Sequence, residues 1–415
     1  MTALNILRSL FDEAVRVADP MVCVPKALPP KPDGKVMVIG AGKASARMAE
    51  AVEAEWGPCD GLIITRYGYE RPLQGLTLKS ASHPVPDQAG MEATRELRAL
   101  LATADENTFV LALISGGGSA LMIDPAGDMT LAEKQAVNEA LLASGAPIDK
   151  MNVVRKHLSR IKGGQLAAAA YPASLLALMI SDVPGDDPAY IASGPTVGDA
   201  STPADALAIV EDYKIVLPES ARAVLSSDTG VVAPVDTRLS TTTNQIIAAP
   251  SQSLEAAKAI AEKDGIAVTI LGDDLEGEAR ELAAQQAAMA LKLRAEITQP
   301  TLLLSGGECT VTRRGKGVGG PNAEYALALA IALDGAPGIH ALACDTDGVD
   351  GAAEVAGALV APDTLSKARS AGFDPDQALA NNDAHSFFAA IDSQVVTGPT
   401  LTNVNDFRAI LIEPI

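Results

Sequence analysis

The sequence predicts an α/β protein of two domains with doubly wound sheets. Short apolar runs alternate with segments rich in Ala, Glu, Lys and Arg along the whole chain. Most of the apolar runs are continuous rather than alternating, as in strands covered by helices on both faces. At 415 residues the chain also exceeds the usual size of one domain.

The elements follow in order. The opening MTALNILRSLFDEAV reads as an amphipathic helix carrying Asp12 and Glu13, not as a targeting leader. Strands are expected at VMVIG (36–40), GLIIT (61–65), FVLALIS (109–115), SLLALMIS (174–181), QIIAAP (245–250), IAVTIL (266–271), TLLLSG (301–306) and HALAC (340–344). Helical stretches such as AEAVEAEW and SLEAAKAIAEKDG lie between them. Residues 226–243, SSDTGVVAPVDTRLSTTT, are rich in Ser, Thr and Pro and lack a helical period. A domain boundary is therefore expected near residue 235, giving domains 1–235 and 236–415. The halves echo each other: LISGGGSALM, RIKGGQLAAAA and LMISDVPGDD in the first, LLSGGECTVT, VGGPNAEYALALA and LACDTDGVDG in the second. These loops all follow strands, at the carboxyl ends where open α/β sheets bind ligands.

Composition narrows the functions. A formal net charge of −20 disfavours nucleic acid and anionic lipid as partners. Apolar residues make up 48%, aromatics only 3%, so the cores are built from Ala, Val, Leu and Ile. Cys23, Cys59, Cys309 and Cys344 stand far apart without ligand spacing, and there are only four histidines. A reduced, cytoplasmic protein without structural zinc is expected. The most apolar region, 166–180, is interrupted by Pro172 and too short to span a bilayer. The sequence leaves homo-oligomerisation open.

Several loops bear chemistry. In GAGKAS, Gly40 and Gly42 permit a tight phosphate-binding turn, the following helix is expected to aim free N–H groups at an anion, and Lys43 adds a charge. The spacing is neither GxxxxGK[ST] nor a complete GxGxxG, and a plain strand-to-helix turn with a solvated lysine is the bland alternative. The second strand ends in Thr65-Arg66 rather than an acidic residue, so only an NADP-type dinucleotide would suit. The run Ser115, Gly116, Gly117, Gly118, Ser119 can fold its N–H groups into an anion nest. MNVVRKHLSRIKGG gathers Arg155, Lys156, His157, Arg160 and Lys162, either a solvated face or a clamp for carboxylate or phosphate oxygens. Asp182 in SDVPGDD, and Asp345 and Asp347 in DTDGVD, could hold Mg²⁺ or accept a proton. They could equally make ordinary turns. Arg313-Arg314-Gly-Lys316 with following glycines, NNDAHSFF (381–388) and TGPTLTNVN (397–405) are polar segments that either line a cleft or form simple loops. No Ser-His-Asp constellation or GxSxG is readable. The set suits phosphoryl transfer, which needs positioning and charge neutralisation more than a strong nucleophile.

Taken in order, VIGAGKAS, SHPVPD, LISGGGSALM, RKHLSRIKGGQLA, SDVPGDDPAYIASGPTV, LSGGECTVT, GKGVGGPNAEYALALA, DTDGVDG, NNDAHSFF and TGPTLTNVNDFRAILI resemble the class II glycerate kinases, from about residue 4 to the end. The last third looks like that family's MOFRL-type region, about 300–410. An older label in the family is hydroxypyruvate reductase of tartrate utilisation. The resemblance implies a Rossmann-like three-layer N-terminal domain and a second α/β domain, with the active site in the interdomain cleft. It implies ATP- and Mg²⁺-dependent phosphorylation of D-glycerate at the 2-hydroxyl, giving 2-phosphoglycerate. It also implies a functional lysine in the GAGKA turn, which is Lys43. Some relatives carry an important arginine in a GGRNQE-like stretch; here Pro321 stands at that position, and the role is unfilled or passes to Arg155, Arg313 or Arg314.

The expected mechanism places glycerate's carboxylate near Lys43 and Arg155, with Lys43 countering charge on the transferred oxygens. Ser115–Ser119 and the loop Ser305, Gly306, Gly307, Glu308 would bind anionic groups through backbone N–H. Asp182 or Asp347 would be proton acceptor or metal ligand, with Asp345 a further ligand. The rivals are an NAD(P)H-dependent hydroxypyruvate reductase and a non-catalytic metabolite-binding protein.

Overall fold

A computed structural model describes residues 2–414. The chain divides into two compact units. One comprises Pro20–Ser181 and Asp186–Ile247; the other comprises the residues up to Asp19, Asp182–Gly185 and everything from Ala248 onward.

The first unit is built on a six-stranded sheet: β1 (Lys35–Ala41), β2 (Asp60–Arg66), β3 (Thr77–Ala81), β4 (Thr108–Ile114), β5 (Ser174–Ile180) and β6 (Thr242–Ala248). Its spatial order is β3-β2-β1-β4-β5-β6. β1 pairs in parallel with both β2 and β4, aligning Gly40 with Ile63 on one side and Leu113 on the other. This is the dinucleotide-fold order, and the direction of winding reverses between β1 and β4. The loops leaving those two strands therefore lie side by side at the switch point. The expected Rossmann-like domain is thus present, with β3 (TLKSA) an addition that its single buried residue, Ala81, kept from standing out.

The second unit holds β7 (Ala267–Ile270), β8 (Gly277–Glu278), β9 (Thr301–Ser305), β10 (Cys309–Thr310), β11 (Ile339–Asp345), β12 (Gly357–Val360), β13 (Gln394–Val395) and β14 (Asp406–Ile412). Six of these form a sheet ordered β13-β12-β11-β14-β9-β7, while β8 and β10 pair separately. β7 and β9 run parallel; β11 pairs antiparallel with β12 and β14, and β14 antiparallel with β9. This sheet is mixed rather than doubly wound throughout. A largely buried helix, Pro321–Leu333, apolar on nearly every side, packs between the sheet and the helix Ala279–Arg294.

The division differs from a single boundary near residue 235. The Ser/Thr/Pro-rich stretch is no linker: Val232 is buried, donates its N–H to Gly163 O at 3.0 Å and accepts from Asp199 N at 2.8 Å. β6, which follows it, still belongs to the first sheet. The opening helix, Ala3–Ala18, goes the other way. Its buried stripe of Leu7, Leu10, Phe11 and Ala14 joins the core of the C-terminal sheet, with Phe11 5.9 Å from Phe407 between ring centroids. Among the described residues no helix is long and apolar enough to cross a membrane.

Candidate functional site

At the switch point of the first unit, the loop after β1 rests on the loop after β4. Lys43 N donates to Gly116 O at 2.8 Å, and Ala44 N to Ser115 Oγ at 3.0 Å. Gly42 N donates to Ile64 O at 3.2 Å, and Ser45 N to Gly42 O at 3.3 Å. The N–H groups expected to point at an anion from this turn are thus already engaged, which corrects the reading of Gly40 and Gly42 as phosphate cradle. Gly40 instead lies within β1, and Gly42 (φ +146°) lets the backbone pass against Ser115. Lys43 itself is half-buried.

The second glycine run behaves differently. Ser115 is fully buried and structural, and Gly118 N donates to Ser115 O at 3.2 Å. The N–H groups of Gly116 and Gly117 meet no acceptor among the described residues. A Cβ placed on Gly117 would lie 3.1 Å from Lys43 Cγ and 3.1 Å from His83 Cδ2. Lys43 and His83 therefore flank this glycine, with two donors beside them. In the sequence His83 stands out only as part of the SHPVPD motif. Ser119 Oγ shares a hydrogen bond with Ser193 Oγ at 2.7 Å.

The basic stretch splits in two. Lys156 pairs with Asp199 at 2.5 Å, and His157 bonds Ser201 Oγ at 3.1 Å, so both serve structure. Arg155, Lys162 and a third cation, Lys134, lie near enough to influence one another electrostatically. Lys162 is 2% exposed and donates to Ser119 O at 2.9 Å and Met122 O at 3.4 Å. Lys134 is 3% exposed, with only Leu158 O at 3.5 Å. Half-buried Arg155 reaches Asn152 Oδ1 at 3.5 Å. Burial and then Arg155 push the Lys134 ammonium down to about 7. Burial, reinforced by Lys134 and Arg155, holds Lys162 well below the usual lysine range. Burial also lowers Arg155.

In the second unit, Asp182 and the DTDG loop come together through the segment 400–405. Asn403 Nδ2 donates to Asp182 Oδ2 at 3.3 Å, and Asn405 Nδ2 to Asp182 O at 3.2 Å. Thr346 Oγ1 donates to Asn405 O at 2.7 Å, and Thr400 N to Asp347 O at 3.2 Å. Asp347 N donates to Asp345 Oδ1, and Val349 N to Asp347 Oδ1, both at 2.8 Å. Asp182 thus shares one polar neighbourhood with two carboxylates far from it in sequence, Asp345 and Asp347. No group of three or more His, Cys, Asp or Glu side chains arranged for a metal occurs among the described residues. As hard oxygen donors, Asp182 and Asp347 fit a magnesium ion that takes its remaining ligands from phosphates and water.

The Ser305–Glu308 loop is not the expected nest. Gly306 N donates to Gly272 O at 2.9 Å, and the carbonyls of Gly306 and Gly307 accept from Arg408 at 2.8 and 3.2 Å. Buried Ser305 Oγ accepts from Gln286 at 3.3 Å, while Glu308 is exposed. Arg408 pairs with Asp406 at 2.5 Å inside the core, fixing this turn by its oxygens. The N-terminus of helix Pro321–Leu333 is likewise occupied: Asp350 accepts from Asn322 N at 2.9 Å and Ala323 N at 2.8 Å. Asn382 accepts from Arg314 N and Gly315 N at 2.7 and 2.9 Å, so NNDAHSFF pins the glycine loop before that helix.

Comparison with known proteins agrees with these motifs. Residues 6–226 match a family described as a domain of unknown function, DUF4147, and residues 301–406 match the MOFRL family. A D-glycerate 2-kinase of Thermotoga maritima is 37% identical over 409 residues, covering 97% of each chain. The chain belongs to the glycerate kinase family. The crystal structure of glycerate kinase from Thermotoga maritima superimposes with a TM-score of 0.87 at 35% identity, covering 98% of this chain and 99% of that one. An Agrobacterium vitis member with the provisional name of hydroxypyruvate reductase is 52% identical over 421 residues, 99% of this chain and 95% of its own. Pro321 starts its helix, and Arg313 lines a cavity of about 230 Å³ together with it. Arg314 lines a different cavity, with Asp374 and Asp383.

Proposed function

We propose that this chain transfers the γ-phosphoryl group of ATP to the 2-hydroxyl of D-glycerate, giving 2-phosphoglycerate and ADP. The observation that carries the reading is Lys43 beside Gly117, with the open N–H groups of Gly116 and Gly117 next to it. A cation and fixed donors at a switch point suit an anionic group whose charge spreads during transfer. Because Lys43 N and Ala44 N are hydrogen-bonded to the neighbouring loop, the turn carrying the lysine is held before substrate arrives. The same engagement speaks against a dinucleotide, whose pyrophosphate needs those N–H groups.

In the step, the 2-hydroxyl oxygen bonds to the γ-phosphorus as the bond to the β-phosphate's bridging oxygen breaks. The hydroxyl proton passes to a carboxylate, Asp182 or Asp347, and ADP leaves. Mg²⁺, held by Asp182 or Asp347 with Asp345 beside them, would neutralise phosphate charge. Arg155 meets the carboxylate of the acid. Lys43 counters the charge on the transferred oxygens.

Purified protein with D-glycerate, ATP and Mg²⁺ should yield ADP and 2-phosphoglycerate, separated from the 3-isomer by coupled assay. NADPH with hydroxypyruvate should give no oxidation. Lys43→Ala should lower kcat by about 10²–10³-fold with the fold intact; near-normal turnover, or NADPH consumption in place of ADP formation, would refute the proposal.

A further inference from the structure

We infer that Lys134, Arg155 and Lys162 form a built seat for a small oxyanion, a carboxylate or a phosphate, entered from the side of Arg155. It deepens the reading in which Arg155 meets the acid, and adds two lysines from other segments. Among the described residues every hydrogen-bond partner of the three cationic side chains is neutral: Leu158 O, Asn152 Oδ1, Ser119 O and Met122 O. Several neighbouring cations of the same unit are paired, Lys156 with Asp199 and Arg95 and Arg98 with Asp124, while exposed Arg160 donates to Gly127 O. In a chain of net charge −20, three such cations without an acidic partner among the described residues are not a shortage of carboxylates. Buried charges are ordinarily paired or neutralised. Lys134 and Lys162 are both almost wholly buried, whereas Arg155 is half-exposed, so a counter-ion arriving from solvent meets the arginine first. The seat lies next to the Ser115–Ser119 loop, because Lys162 holds the carbonyls of Ser119 and Met122.

The test is binding, so it stands apart from turnover. Full-length protein in a Lys43→Ala background, which removes the other cation, is titrated by calorimetry with inorganic phosphate, D-glycerate or glycerol at matched ionic strength. Phosphate, D-glycerate or both should bind, and glycerol should not; which anion binds identifies the source. Lys134→Met should weaken binding at least tenfold while raising the melting temperature of the ligand-free protein, since a repelling buried charge is gone. Arg155→Gln, at a less buried position, should weaken binding similarly and covers the case in which Lys134→Met fails to fold. Absence of binding by both anions, or unchanged affinity in the variants, overturns the seat. Binding that follows this pattern in a protein without phosphotransfer activity would leave the seat standing and remove only the kinase reading.

Discussion

Lys134 shares a helix face with buried Val137 and Leu141, at the spacing of a core stripe. In LAEKQAVNEALLA a lysine reads by default as solvated, and only packing against Arg155 and Lys162 shows otherwise. Lys43 was legible because glycines surround it after a buried strand; His83 was not, since its neighbour Gly117 is distant in sequence. The titration of Lys134 has a definite sign. Its folded value of about 7 lies below the ~10.4 of an unfolded lysine. Below about 7 both states are protonated; from there to ~10.4 only the unfolded state is, so this group makes stability rise with pH across that window. An oxyanion reverses the preference by favouring the charged form. The charged groups bearing on Lys134 are Arg155 and Lys162, and only the lysines titrate here. D-Glycerate affinity, measured by calorimetry from pH 6 to 9, should therefore fall by up to about tenfold per unit above 7, less steeply in Lys134→Met.

Among elements, strands that are apolar from end to end were readable: β1, β2, β4, β5, β9 and β11 lie within a residue or two of their expected places. β14 does not read as a strand because Asp406 and Arg408 interrupt DFRAILI; both are buried as a pair, with Arg408 also donating to the carbonyls of Gly306 and Gly307 and Asp406 accepting from Asn322. The loops were harder. Whether a glycine turn offers its N–H groups depends on the neighbouring strand's loop, which sequence order does not specify. That is why Gly42 and Gly306 were taken for donors to a ligand when they donate to Ile64 O and Gly272 O. Their real constraint is close approach. A Cβ at Gly42 would run into Ser115 Oγ and its carbonyl, at φ +146°. Gly42→Ala should cost about 3 kcal/mol or more by urea denaturation, strain and collision together. Gly57→Ala, at φ +73° with open space around its Cβ, should cost only about 1–2 kcal/mol. Equal losses at the two sites would show that collision contributes little.

At the scale of the whole chain, the resemblance carried the family and the pair of α/β units, but the route between units was not readable. Composition marks 226–243 as a domain boundary, although backbone hydrogen bonds through Val232 bind it into the first unit. The N-terminal helix looked like the start of the first domain because amphipathic periodicity says which face is buried and not against what. Ser253 Oγ donates to Ala14 O at 2.7 Å, and Thr402 Oγ1 to Ala18 O at 2.8 Å, anchoring that helix to the C-terminal unit. Phe11→Ala should lower stability by about 3–5 kcal/mol. Native-state hydrogen exchange should then rise chiefly in β11 and β14, which share its core; exchange rising mainly in β1 and β4 would contradict the assignment. This arrangement has a bearing on biosynthesis. The helix leaves the ribosome well before β14, which carries the Phe407 it covers. At ribosomal rates of about 5–20 residues per second the nascent stripe waits roughly 20 to 80 s for its partner. During that interval it offers Leu7, Leu10 and Phe11 to any chaperone near the exit tunnel.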